Sequence, residues 1–167
     1  MVTHMIEAVP FDHPEINTWR HNFTGIQFNH KPSELLVFGA VDDIWQNPKG
    51  ELMVVDYKAT GAQNHKIYDS YGRQMEIYQW LLEQNNHRVS KTGYFVFAKV
   101  NKAGGFGFGK AALAFDIFVE SYTGDNSWVE AAILNAKKIS ETEKAPDPSV
   151  ECEYCAYRKS AVKAASV

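Results

Sequence analysis

Two aspartates and a lysine on neighbouring apolar segments are the residues whose types and spacing can do chemistry. Asp42 interrupts Leu35–Trp45 and Asp56 interrupts Leu52–Lys58, both otherwise rich in β-branched and aromatic residues. Gln46-Asn47-Pro48-Lys49-Gly50 lies between them, with Pro48 presetting φ and Gly50 tolerating a left-handed backbone. The pattern predicts a β-hairpin, and one of the two registers compatible with a turn near Pro48-Lys49 sets Asp42 opposite Asp56. Directly opposed residues share a face, with Cβ atoms about 4.5–5.5 Å apart. Lys58, two residues beyond Asp56, falls on that face too. Opposed carboxylates in a half-buried sheet repel unless a positive group sits between them. A divalent cation is such a group, and hard oxygen ligands suit Mg²⁺ or Mn²⁺. The lysine then stabilises developing negative charge or orients an attacking water. The competing reading is a solvated strand edge on which Lys58 is only a salt-bridge partner; the apolar flanks on both strands weigh against it. Asp43 falls on the opposite face, as a structural or supporting group.

The elements that must position these groups can be read from periodicity. Both faces of the two hairpin strands are largely apolar, so the hairpin is expected inside a sheet covered on both sides. Ala59 to Lys66 reads as a polar loop. Tyr68 to about Asn86 has helical spacing, with Tyr71, Met75, Tyr78 and Leu82 at steps of three or four. Gln74 and Tyr78 share one face of that helix, from which an amide and a phenol can reach the carboxylates. Gly93–Ala98 and Ala112–Tyr122 read as strands joined by a glycine-rich loop, Asn101 to Lys110. Trp128 to about Glu141 reads as a helix capped by Asp125 or Ser127 and broken by Ala145-Pro146-Asp147-Pro148. Nearer the start, Pro14–Phe23 is expected as a short helix with Ile16, Trp19 and Phe23 on its apolar face. The order is β-β-α-β-β-α, an α+β domain, divided as an N-terminal segment 1–34, a core 35–142 and a tail 143–167.

Composition sets the outer limits. The 167 residues are 45% hydrophobic, 22% charged and 13% aromatic, ordinary for one globular domain with a sizeable core. No window approaches a membrane span, and the start has neither a basic stretch nor a long apolar run, so a cytoplasmic, reducing location is expected. Seventeen basic against twenty acidic residues leave a net charge of -3, which excludes gripping nucleic acid by bulk charge alone but not through a local groove. Gly104–Gly109 does not match a dinucleotide fingerprint, because it joins two strands and opens no helix. Lys137-Lys138 and Arg158-Lys159 read as solvated pairs.

Gly39-Ala40-Val41-Asp42, Val54-Val55-Asp56-Tyr57-Lys58 and Gln74-Met75-Glu76-Ile77-Tyr78 together resemble the PD-(D/E)XK nuclease superfamily, in particular its RecB-like branch, which includes CRISPR-associated exonucleases. Order and separations match over about residues 35 to 100. The resemblance implies a restriction-endonuclease-like core, a mixed β-sheet flanked by helices, and metal-dependent hydrolysis of phosphodiester bonds in DNA. It implies that Asp42, Asp56 and the backbone carbonyl of Tyr57 hold Mg²⁺ or Mn²⁺. Lys58 is then the catalytic lysine, with Gln74 and Tyr78 as the pair that orients DNA or that lysine. A nuclease fold kept for nucleic-acid binding or complex assembly, with weak or no cutting, is the alternative.

Cys152-x2-Cys155 is similar to the closing cysteines of RecB-like nucleases that carry an iron–sulfur cluster. Such a cluster needs four thiolates, and this sequence has two cysteines. The pair is therefore vestigial, or belongs to a shortened relative without the N-terminal segment, or forms zinc ligands completed by histidines or by a second chain. Relatives also supply a metal-binding His or Glu from an N-terminal helix, a role that none of His4, His13, His21 and His30 takes up by motif. Self-association is expected where the missing N-terminal segment leaves apolar surface uncovered, and membership of a larger DNA-processing complex is expected because the net charge of -3 counts against tight DNA binding by the chain alone.

Overall fold

The computed structural model describes residues 5–62, 64, 66–102 and 113–165. The Asn47–Gly50 turn behaves as its residues dictate. Asn47 Oδ1 accepts from the Lys49 and Glu51 N–H groups at 2.9 Å each, and Gly50 adopts φ +76°. This reversal joins β4 (Asp43–Gln46) to β5 (Leu52–Thr60) antiparallel, in a register running from Gln46↔Leu52 to Asp43↔Val55. One further step sets Asp42 level with Asp56.

From Thr60 the chain passes to α2 (Asp69–Gln84) and returns as β6 (Thr92–Val100), parallel to β5. β7 (Phe115–Thr123) runs back antiparallel along β6. The two-residue β1 (Val9–Pro10) covers the other edge, giving the order β1-β4-β5-β6-β7. α2 lays Met75, Tyr78, Leu81 and Leu82 on the sheet, where they meet Ile44, Val54 and Phe95 in the main core. A smaller cluster of Trp45, Met53 and Val55 lies on the opposite face. β5 is accordingly buried from Leu52 to Asp56 and opens beyond it. α3 (Val129–Ser140) adds Val129 and Ile133 to the core.

The structure departs from the expectations in three places. Leu35–Trp45 is two strands rather than one. β3 (Leu35–Gly39) pairs with β2 (Ile26–His30) in a separate two-stranded sheet packed on α2, and the chain then crosses through Ala40–Asp42 into β4. The N-terminal helix is only α1 (Ile16–Trp19); Trp19 is buried, but Phe23 lies beyond the helix and is 86% exposed. The tail carries a helix, α4 (Glu153–Ala165), with no buried residue. The glycine-rich stretch 104–109 lies outside the described residues.

Candidate active site

The break between β3 and β4 takes Asp42 out of the ladder and leaves its carboxylate free to bond elsewhere. Val41 is buried and its N–H donates to the Trp19 carbonyl at 3.1 Å, so it cannot continue the ladder to β5. The Tyr57 N–H, next in line for a β4 partner, donates instead to Asp42 Oδ2 at 2.8 Å. An extended residue sends its N–H and C=O to the same edge, so the Tyr57 carbonyl faces the Asp42 side of β5.

Asp56 and Lys58 lie on the sheet face covered by α2. Asp56 is only 3% exposed. Its Oδ2 meets the Lys58 ammonium at 2.6 Å and has no neutral hydrogen-bond donor among the described residues. Burial pushes its pKa above the ordinary carboxylate value; the Lys58 charge pulls it back and the nearby Asp42 pushes it further up. Lys58 also donates to Gln74 Oε1 at 3.3 Å and stands 4.7 Å from the centre of the Tyr71 ring. Gln74 Nε2 donates to the Tyr78 hydroxyl at 2.7 Å. The Tyr78 pKa is raised, mainly by burial, with Asp56 and Asp42 adding to it. The tyrosine ring has room because β3 ends in glycine: a Cβ on Gly39 would stand 2.6 Å from Tyr78 Cε1.

The structure thus brings Asp42, Asp56, Tyr57, Lys58, Gln74 and Tyr78 to one end of the β5–α2 interface. Tyr71 was legible only as a core residue. Its place one helical turn before Gln74 is the signal for its contact with Lys58. On the opposite face Asp43 pairs with Arg20 and accepts from the Tyr57 hydroxyl at 2.8 Å. That hydroxyl is pushed up to about 12 by burial and by Asp43. Arg20 thereby ties the end of α1 to the strand that carries the acids, a link with no motif to announce it.

The carboxylates of Asp42 and Asp56 and the Tyr57 carbonyl, with no neutral donor on Asp56 Oδ2 among the described residues, suit a hard divalent ion that keeps several waters. Among the described residues no group of three or more His, Cys, Asp or Glu gathers to hold a metal. The described N-terminal histidines are engaged elsewhere. His13 stacks on Trp19 at 4.7 Å, His21 Nδ1 lies 3.3 Å from Thr24 Oγ1, and His30 bridges Ser33 and Glu130 at 2.7 Å each. Cys152 and Cys155 sit at the start of α4 as free, part-exposed thiols. Hydrogen bonds from Cys155 lower the Cys152 pKa, and the bond to Cys152 raises that of Cys155. Two thiols do not fit a four-thiolate cluster.

No helix among the described residues is long and apolar enough to cross a membrane. No curated protein matches the sequence. A solved structure described as the crystal structure of SSO0001 is similar at 16% identity and a TM-score of 0.45, over 80% of this chain. The chain spans about half of that structure's length, 54%. A family model described as the PD-(D/E)XK nuclease superfamily matches residues 3–160. The mixed sheet flanked by helices is the architecture of that fold, and the chain belongs to the PD-(D/E)XK nuclease superfamily.

Proposed function

We propose that the chain is a Mg²⁺- or Mn²⁺-dependent deoxyribonuclease of the RecB-like exonuclease type, hydrolysing phosphodiester bonds. The observation that carries this reading is the state of Asp56. Its carboxylate is buried beside Asp42, has no neutral hydrogen-bond donor at Oδ2 among the described residues, and is ion-paired to a lysine that Gln74 and Tyr78 hold in place. Asp42, Asp56 and the Tyr57 carbonyl would hold the ion. When bound, such an ion polarises a phosphoryl oxygen and acidifies a coordinated water.

The remaining work falls to the chain's own groups. Lys58 places its ammonium where negative charge develops on the phosphate, a preorganised interaction in a largely buried site. Gln74 accepts from Lys58 while donating to Tyr78, which limits the directions in which the lysine can swing. The Tyr57 N–H holds Asp42 by one oxygen, Oδ2, and fixes the carboxylate orientation. Tyr78 closes the inner wall against Gly39.

The test is incubation of the purified chain with Mn²⁺ or Mg²⁺ and end-labelled single- and double-stranded DNA. Progressive shortening that needs the metal is expected, with Asp56→Ala and Lys58→Ala folded but inactive. Cutting that persists in both variants would place the chemistry elsewhere. The absence of cutting in the unaltered chain would favour a binding or assembly role.

A further inference from the structure

The residues on either side of Asp42 are held by two consecutive residues at the end of α1. The Val41 N–H donates to the Trp19 carbonyl at 3.1 Å, and Asp43 Oδ1 pairs with the Arg20 guanidinium. Both oxygens of Asp43 are engaged: Oδ1 also accepts from the Ile44 N–H at 2.9 Å, and Oδ2 accepts from the Tyr57 hydroxyl at 2.8 Å. Tyr57 follows Asp56 as Asp43 follows Asp42. Asp43 is level with Val55 in the ladder, so Tyr57 is its diagonal neighbour, within reach of an aromatic side chain. The two strands are therefore bonded on the face opposite Asp56 by the residues that follow the two acids.

α1 is itself fixed. Trp19 is buried, stacks on His13 at 4.7 Å and meets His87, just beyond α2, edge-on at 5.3 Å. The grip falls where the chain most needs one. Residues 40–42 belong to no strand. Two neighbouring carboxylates repel in the absence of a cation, and a segment free to move would carry Asp42 away from Asp56. Arg20 sets its charge on the opposite face, so it steadies Asp42 without competing with a cation for that carboxylate.

Resting on the nuclease reading, we propose that Arg20 and Asp43 are positioning residues. With the Trp19 carbonyl and the Tyr57 hydroxyl, they hold Asp42 at the spacing from Asp56 that a shared divalent ion requires, and so set the affinity of the site for metal. The N-terminal segment then contributes to the site by shaping it, with no ligand of its own. Groups that orient metal ligands from outside the coordination sphere typically contribute about 10–100-fold in metal affinity or activity.

The experiment titrates the full chain with Mn²⁺, measuring free ion by electron paramagnetic resonance, and follows turnover on end-labelled DNA over the same metal range. Arg20→Met keeps the stem and removes the charge. It is expected to weaken Mn²⁺ binding about tenfold and to raise the KM for Mn²⁺ alike, with kcat at saturating metal within about threefold. Asp43→Asn is expected to weaken binding to a similar degree. The double variant Arg20→Met/Asp43→Asn should weaken it no further than the worse single one, because the two residues act as a unit. Ile133→Ala, in the core on α3, is a control that lowers Tm without touching α1, and it is expected to bind Mn²⁺ as the parent does. Parental affinity in Arg20→Met would overturn the inference and leave the nuclease reading standing. So would an equal loss of affinity in Ile133→Ala. A parent chain whose Mn²⁺ affinity is unchanged by Asp56→Asn overturns both.

Discussion

Two buried acids lie at the interface between α2 and the sheet, Asp56 on β5 and Glu76 on α2 facing the end of β7, and their surroundings differ in kind. Glu76 is 7% exposed and fully provided for. Tyr122 OH and the Asp125 N–H donate to Oε1 at 2.7 and 3.1 Å, and Trp128 Nε1 donates to Oε2 at 2.6 Å. Among the described residues it has three neutral donors and no cation, and it pins α2 to the end of β7 and the start of α3. The Tyr122 hydroxyl is held up to about 12, by burial first and by Glu76 next. Asp56 has the reverse: a cation, a second acid nearby, and an oxygen with no neutral donor among the described residues. A buried carboxylate satisfied by neutral donors is an architectural fixture. One left short of donors, beside like charge, costs stability that a ligand can return. The contrast is the ground, independent of any relative, on which Asp56 is proposed as the working acid and Glu76 as a structural one.

The largest expected effect separates the two by activity. Asp56→Asn, measured as turnover per folded molecule, is expected to lose at least about 10²–10³-fold, whereas Glu76→Gln keeps turnover within a few-fold. Equal losses would end the distinction. Next in size is a loss of stability. Glu76→Ala leaves the Tyr122 hydroxyl, the Trp128 N–H and the Asp125 N–H without their acceptor, at a cost of about 3 kcal/mol. Calorimetry should then find Tm lower by roughly 10 °C. Tyr78→Phe removes only the hydroxyl that accepts from Gln74, and a drop of about tenfold in kcat is expected, with Tm little changed.

Protonation sharpens the comparison further. The folded pKa of Asp56 lies above its unfolded value, so between the two the unfolded chain binds fewer protons and stability falls as pH rises. In metal-free protein this component of the Tm–pH profile should vanish in Asp56→Asn. Activity runs the other way. Only the ionised carboxylate serves as a ligand, so at sub-saturating Mn²⁺, where activity follows metal binding to the free site, the acid limb of the rate profile should lie above the ordinary carboxylate range. A limb at the ordinary value would mean that another group controls it.

Much of the site was legible because its parts are local. The Asn47–Gly50 reversal sets the β4–β5 register, alternation then puts Lys58 with Asp56, and helical spacing puts Gln74 with Tyr78. What escaped was long-range. Little near Gly39 signals that β3 leaves the main sheet to pair with β2, because apolar residues continue through Val41 and resume at Ile44-Trp45 after the two aspartates. That departure gives Asp42 its contact with the Tyr57 N–H. Arg20 reaches Asp43 across a separation that periodicity does not register. Glu76 lies in the middle of the Gln74–Tyr78 motif, yet its three donors come from residues 122–128. α4 was read as a tail because the four residues from Ala145 to Pro148 and the two cysteines masked its helical spacing.

The central claim is that Asp42 and Asp56 share a divalent ion. The direct measurement is anomalous diffraction from crystals of the chain soaked in Mn²⁺. The account predicts a single strong peak at about 2.1–2.2 Å from a carboxylate oxygen of each aspartate and from the Tyr57 carbonyl, lost in Asp56→Asn crystals. Ordered crystals with no peak between the two acids, or with manganese bound only at other groups, would contradict it.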